Sequence, residues 1–266
     1  MTSAEAATLC ANVLKRIGGV AGLDPVGNVW YSVQSALLAN ADMPELLWRE
    51  DRSTDNDQES ANFPPSFLGM GRINPSQNLV DAFPMLNGYP KDDSRSGYDA
   101  KNPYANRDPR LDKYILHHES IFKDFKISTG YDIPDEDGYL IDNIKATELS
   151  TYTGYYMKKL LYENITVSGA SLSQYYHFYP RIRYTELFLA YAEAANDAWG
   201  PASDPTGVGF TAYDVIKAIR DRAGIGKDAS GAPLPEGDMY LEECKADKDK
   251  MTQLIRNERR IELCFE

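Results

Sequence analysis

Along the chain, apolar residues recur at three- and four-residue steps in a few stretches, and turn-forming residues dominate between them. The most regular stretch lies within Tyr179 to Asn196, where Tyr184, Leu187, Phe188, Tyr191, Ala192 and Ala195 form one stripe and Thr185, Glu193 and Asn196 lie off it. This spacing predicts a helix packed closely on another, because the alanines let two backbones approach while the rings fill the remaining space. Pro180 stands just upstream, where proline either opens a helix or separates it from an extended strand. At the amino end, Thr2 and Glu5 form a capping-box pattern ahead of Ala6, Leu9, Cys10, Val13, Leu14 and Ile17, and Gly18-Gly19 closes that helix. Asp24-Pro25 predicts a second, antiparallel helix through Val29, Val33, Ala36 and Leu37 to about Asn40.

Leu46-Leu47-Trp48 reads as a short extended segment entering a polar loop, Arg49 to Ser60. Asn74-Pro75 predicts a short helix through Leu79, Val80 and Phe83 that stops at Pro84. Asn87 to Arg110 changes to Gly, Pro, Asn, Asp and Tyr, which is loop chemistry, and a loop of that length inside a compact chain is usually functional. Leu111 to Phe125 is compatible with a strand or a short helix, Tyr131 to Leu140 is another loop, Thr151 to Asn164 reads as a strand or hairpin, and Val167 to Gln174 as a surface connection. Further on, Thr211 caps a helix with the face Ala212, Val215, Ile216 and Ile219, closed by Gly224; Pro233 and Pro235 break the next linker. The last helix, from about Asp249, carries Met251, Leu254, Ile255, Ile261 and Phe265 on one side, with Glu258 and Glu262 on or beside that stripe. Carboxylates placed there need partners, and Arg183, Arg220, Arg222, Arg259 and Arg260 are the guanidiniums at hand.

Composition narrows the function. The 266 residues, 42% of them apolar, supply a real core, and a net charge of −12 argues against nucleic acid, since no basic patch stands out. Three dispersed cysteines, Cys10, Cys244 and Cys264, indicate neither a disulfide framework nor a CxxC metal site. No run approaches the roughly 18 apolar residues of a membrane span, and the first helix is amphipathic rather than a secretion signal. The periodic helix runs into Glu266 without a stop signal, which predicts that the sequence is an excerpt of a longer one.

Six local patterns then occur in one order: Asn74 to Asn87 (NPSQNLVDAFPMLN), Asn106 to Leu111 (NRDPRL), Thr153 to Lys159 (TGYYMKK), Arg183 to Asn196 (RYTELFLAYAEAAN), Ile219 to Ile225 (IRDRAGI) and Ile255 to Glu266 (IRNERRIELCFE). Together they are spread over most of the chain, which resembles the SusD/RagB family of nutrient-binding outer-membrane lipoproteins. The resemblance implies a mainly α fold of tetratricopeptide-like helix pairs with long loop insertions and a few short strands, the whole chain forming part of a single domain. Within it, residues 41–178 are the loop-rich, ligand-facing region, and the family's amino-terminal segment and carboxyl-terminal end are expected to be absent. It also implies a lipid anchor at the surface of the outer membrane, a SusC-like TonB-dependent transporter as partner, a glycan or another nutrient such as peptide as ligand, no cofactor and no catalytic residue. Arg183, Glu186, Glu193, Arg222, Glu258 and Glu262 fall on its helices and are read as a partly buried ion network that holds the scaffold.

Ligand contacts are therefore sought in the loops. A flat ring offers an apolar face to the C–H groups of a sugar while loop amides and carboxylates bond its hydroxyls. Among 18 tyrosines and 3 tryptophans, Trp48, Tyr89, Tyr98, Tyr104, Tyr131 and Tyr139 are the candidates, with Tyr98 and Tyr104 foremost because Asp99, Asn102 and Asn106 lie beside them. Taken singly, each is better explained as a ring packed beneath a loop; taken together, they predict at least two that touch ligand. A glycoside hydrolase would need a carboxylate pair, but among 40 acidic residues Asp92-Asp93 or Asp135-Glu136-Asp137 arises by chance. Asp132, Asp135, Asp137 and Gly138 have the wrong spacing for a calcium loop, and His117-His118 reads as a solvated pair without further metal ligands. A helical-repeat adapter has no need of long aromatic loops.

Overall fold

The structure, a computed structural model, describes residues 1–25, 45–169 and 172–266. The helix expected after Asp24-Pro25 lies outside the described residues.

Helix α1 (Ser3–Arg16) starts at the expected capping box: the Thr2 hydroxyl accepts from the Glu5 N–H and the Glu5 side chain accepts from the Thr2 N–H. The buried face is Ala7, Ala11 and Leu14, while Leu9 and Val13 are exposed. The helix is thus rotated from the face that its larger apolar residues suggest, because the alanines are what the close contact with the central helix admits.

Residues Leu46–Asp55 form strand β1, and the polar run that reads as a loop is half of a two-stranded antiparallel ribbon. Its partner, β6 (Tyr175–Arg183), pairs Leu46 with Arg183, Trp48 with Ile182 and Glu50 with Tyr179, with bulges along the way. Pro180 sits in this ribbon opposite Arg49, where a missing N–H is tolerated because each strand has one partner among the described residues. Helix α2 (Asp57–Asn62) follows β1. Its Glu59, fully buried, accepts from the Tyr162 N–H at 2.9 Å and lies 3.1 Å from His177 Nε2, tying the helix to β6. Helix α3 (Gln77–Ala82) is capped by Ser76 rather than by Asn74, whose side chain instead donates to the Gly71 carbonyl and accepts from the Tyr152 N–H.

Residues 87–109 form an extended loop, as their composition predicts, before α4 (Arg110–Tyr114). Strand β2 (Ile115–Leu116) pairs with β5 (Tyr156–Met157), and β3 (Ile121–Phe122) with β4 (Phe125–Lys126). Phe63, Phe83, Leu111, Tyr114, Phe122, Tyr156 and Ile165 pack into one core under these loops.

The second core is helical. Helix α5 (Tyr184–Trp199) begins only where β6 ends, with Arg183 as its N-cap. It contacts α1, α6 (Ala212–Ala223) and α8 (Lys248–Glu262), so more of its circumference is covered than one stripe provides. Thr185 and Asn196, polar and off the apolar stripe, are consequently buried, and each has partners: Asn196 Nδ2 donates to the Lys248 carbonyl at 3.1 Å and to Thr252 Oγ1 at 2.8 Å. Helix α6 has a capping box at Thr211 and Asp214 and ends at Gly224, whose φ of 99° is the left-handed value that glycine accommodates. A short helix, α7 (Met239–Cys244), capped by Asp238, occupies the stretch that reads as linker. Helix α8 stops at Glu262, short of the chain end, and Glu266 turns back to pair with Arg183 and Lys159. Met251, Leu254 and Ile255 of α8 belong to the helical core and Ile261 to the loop core, so one helix serves both.

Candidate functional site

Where α8 crosses between the cores, its two carboxylates meet a set of buried cations. Glu258 accepts from Arg220 Nη1 at 2.6 Å and from Arg110 Nη2 at 2.9 Å; Glu262 accepts from Arg222 Nη2 at 2.6 Å and Arg110 Nη1 at 3.0 Å, with Arg183 Nη2 3.6 Å away. Arg110 is also paired with Asp108 at 2.7 Å and Arg220 with Asp238 at 2.5 Å. Burial alone would raise the Glu262 carboxyl, but Arg222, Arg110, Arg183 and Lys159 outweigh it and hold it at about 2.

Glu45 completes this network at the head of α5. Its carbonyl accepts from the Tyr184 N–H, and its carboxylate accepts from the Thr185 N–H, the Thr185 hydroxyl and Arg183 Nη1 at 2.7 Å. A carboxylate from a distant segment therefore satisfies the helix start that Arg183 does not cap with its own side chain. Burial raises the Glu45 pKa despite Arg222, Arg183 and Thr185, which pull the other way. Glu186 and Glu193 stand outside the network: Glu186 pairs with Arg259 at 2.5 Å and Glu193 lies 3.7 Å from Arg256, all four side chains partly or largely exposed. These buried ions hold the loops against the helices.

The aromatic candidates separate by exposure. Tyr131 and Tyr139 are 69% and 66% exposed on one loop, and Trp48 is 61% exposed on β1. Tyr98 is half-buried, with Lys91 Nζ 5.3 Å and the Arg107 guanidinium 5.8 Å from its ring centre. Tyr104 is half-buried too, and the His117 imidazole stacks on it at 3.7 Å with 14° between planes, occupying one of the faces that the sequence reading leaves free. His117 is correspondingly buried rather than solvated, held at 2.7 Å from Asp112. Tyr89 is a correction: at 2% exposure it is a core ring, its hydroxyl donating to Glu243 at 2.7 Å and the Arg95 guanidinium lying 4.4 Å from its centre. The Gly- and Asp-rich loop around it looks exposed in sequence because Glu243 and Tyr240 come from a helix more than a hundred positions later.

The sequence reading passes over one exposed ring. Tyr152, 64% exposed, stands at the tip of a turn in a stretch that reads as strand. The turn is built by Thr151, whose hydroxyl oxygen accepts from the N–H groups of Thr153, Gly154 and Tyr155, with Gly154 at φ 85°. The Thr-x-x-Gly pattern is the signal that marks it.

The loop carrying Tyr131 and Tyr139 is similarly fixed by its own backbone and neighbours. Asp135 Oδ1 accepts from the N–H groups of Asp137 (3.0 Å) and Tyr139 (2.8 Å), and the Ile133 carbonyl accepts from Ser128 Oγ (2.6 Å) and Asn143 Nδ2 (2.8 Å). The Ile144 N–H donates to the Gly130 carbonyl, and the Lys145 N–H to that of Thr151, which joins this loop to the Tyr152 turn. Ile133, Leu140, Ile141 and Leu149 add exposed apolar surface between the rings in sequence. Tyr131, Tyr139 and Tyr152 are thus exposed rings on turns fixed by hydrogen bonds, with exposed Asp132, Glu136 and Asp137 in the loop of the first two. The acidic pairs serve structure: Asp135 closes its turn, and hydrogen bonds from Arg95 hold the Asp93 carboxyl at about 2, opposite to the direction a proton-donating acid needs. Among the described residues no group of three His, Cys, Asp or Glu is placed to hold a metal ion, and no helix is long and apolar enough to cross a membrane.

The model of the SusD family matches residues 44–266, which includes the loops, the network and the helical core apart from α1. The chain belongs to the SusD family. Solved structures agree in fold: a SusD-like carbohydrate-binding protein from Bacteroides fragilis is 20% identical, with a TM-score of 0.62 over 97% of this chain and 48% of that one. A second SusD-like protein from Bacteroides fragilis is 25% identical, with a TM-score of 0.61 over 91% of this chain and 45% of that one. A SusD superfamily protein from Bacteroides vulgatus is 15% identical, with a TM-score of 0.51 over 98% and 46%. This SusD-family chain thus spans about half the length of the structures it matches. No curated protein matches it in sequence.

Proposed function

We propose that this SusD-family protein binds glycans without catalysis at the cell surface, held by a lipid at the outer membrane beside a SusC-like TonB-dependent transporter. Residues 41–178 form its ligand-facing part. The observation that carries the reading is the set of exposed rings at Tyr131, Tyr139 and Tyr152 on turns fixed by hydrogen bonds. Rings held this way present sugar-stacking faces with little ordering left to occur on binding, while the nearby carboxylates and amides serve hydroxyls. The carbohydrate-binding relative from Bacteroides fragilis shares the fold and supports the ligand class. Trp48 on the ribbon and the half-buried Tyr98 and Tyr104 are further contacts of the same chemistry in this reading.

Substituting Tyr131→Ala together with Tyr139→Ala is expected to weaken binding of a glycan that the protein retains on affinity gels by about tenfold, roughly 1.4 kcal/mol, while the melting temperature stays within about 1 °C. The pair Tyr98→Ala and Tyr104→Ala, measured alongside by titration calorimetry, should do less and should lower stability, because Tyr104 is stacked on His117. Unchanged affinity in the first pair would move the site off this loop. For the partner, mild-detergent extraction of native membranes should recover a large outer-membrane barrel with the protein; repeated recovery of the protein by itself would remove the transporter from the proposal.

A further inference from the structure

A cleft of about 500 Å³ lies between β6 and the carboxyl-terminal half of α8, and none of the candidate aromatic residues lines it. Five of its eight lining residues are arginines, Arg181, Arg183, Arg256, Arg259 and Arg260, and two are glutamates, Glu186 and Glu266. In a chain of net charge −12 this is a local inversion of sign. Cations near a helix carboxyl terminus are favoured by its dipole, which accounts for Arg259 and Arg260 in the last turn of α8. It does not account for Arg181, which comes from the strand, or for Arg256, a turn earlier.

The guanidiniums differ in what already holds them. Arg183 is buried and committed to Glu45, Glu262 and Glu266. Arg181 pairs with Glu50, both about half exposed; Arg256 lies 3.7 Å from Glu193 and Arg259 2.5 Å from Glu186, again with exposed partners. Exposed pairs of this kind are weak and exchange readily. Arg260 is exposed and makes no ion pair among the described residues. A planar guanidinium offers two parallel N–H groups that match a carboxylate or sulfate, and four movable ones around one concavity can grip a single oxyanion from several sides. The volume fits a small ligand rather than a folded partner.

We propose that this cleft is a second binding site, taking a small sugar that carries a carboxylate or a sulfate ester. The oxyanion assignment rests on the arginines alone; the sugar part rests on the glycan reading above. The test is titration calorimetry of the whole chain with galacturonic acid trimer, a sulfated disaccharide, the neutral galactose trimer and an acidic hexapeptide. The acidic sugars are expected to bind more tightly than the neutral trimer, with affinity falling as salt rises, and Arg256→Gln with Arg260→Gln should weaken them about tenfold. Neither arginine lies in the buried network, so the melting temperature should stay near that of the parent. The two acidic sugars, compared with each other, say which oxyanion is preferred. Equal binding of acidic and neutral trimers, or indifference to the double substitution, would overturn the site. A hexapeptide that binds more tightly than either acidic sugar would overturn the sugar assignment. Failure of the loop reading is separate: it shows as Tyr131→Ala and Tyr139→Ala leaving neutral-glycan binding unchanged, whatever the arginine variants do.

Discussion

Replacing Glu258 with alanine is expected to destabilise the protein by about 3–5 kcal/mol, the cost of removing one partner from a buried, hydrogen-bonded ion pair. Glu258 is fully buried and divides its two oxygens between Arg220 and Arg110, which are themselves almost wholly enclosed. Without it Arg220 keeps Asp238 while Arg110 keeps Asp108 and Glu262, and the carboxylate that links the two guanidiniums is lost. The melting temperature should fall by roughly 10 °C for a chain of this size, read by circular dichroism. Glu186→Ala removes a carboxylate from an exposed pair instead and should change stability by less than about 1 kcal/mol. Equal, small effects from both substitutions would mean that the buried network contributes no more than a surface bridge.

The second large effect is with pH. Glu262 has an ordinary carboxyl value of 4.5 and is held at about 2 in the folded protein. A depressed folded value means that the unfolded chain binds the proton first, so the stabilisation is complete above about 4.5 and is lost as pH falls towards 2. The size follows from the shift, on the order of 3 kcal/mol at neutral pH. Glu45 acts in the opposite sense: its folded value is raised, so it takes up a proton on folding and its contribution grows as pH falls through that value. Urea midpoints measured from pH 7 to pH 2.5 should therefore change little at first and drop steeply below about pH 4.5. Glu262→Gln should lower the neutral-pH midpoint and flatten the acid limb. A profile that stays level to pH 2.5 in the parent would contradict the assignment.

The parts legible in the sequence are those written locally. Thr2 with Glu5 and Thr211 with Asp214 mark helix starts by side chains three residues apart, and Gly224 marks a stop, so α1 and α6 are found where they were expected. Glu258 and Glu262 declare a need for partners because a carboxylate on an apolar stripe is costly alone. Which partners answer is not local: Arg110 reaches Glu258 across 148 positions and Glu45 reaches Arg183 across 138. The β1–β6 ribbon is hidden for the same reason, since a polar run such as Arg49 to Asp55 becomes a strand only when another strand is beside it. The rings follow one rule in both directions. Tyr89 looks like a loop tyrosine until Glu243 and Tyr240 pack on it, and Tyr152 looks like a strand residue until the Thr151 hydroxyl bends the chain.

The sharing of α8 by two cores bears on how the molecule comes apart. Tyr155 and Tyr156, just after the Tyr152 turn, belong to the same core as Ile261, and Ile261 stands one position from Glu262 and six from Ile255, which is fixed in the helical core. Because α8 is common to both, the base of the loops and the helices are expected to open together as one cooperative unit. Amide exchange in the packed base of the loops should then report the global free energy of unfolding, with faster exchange confined to the outer tips where the rings stand.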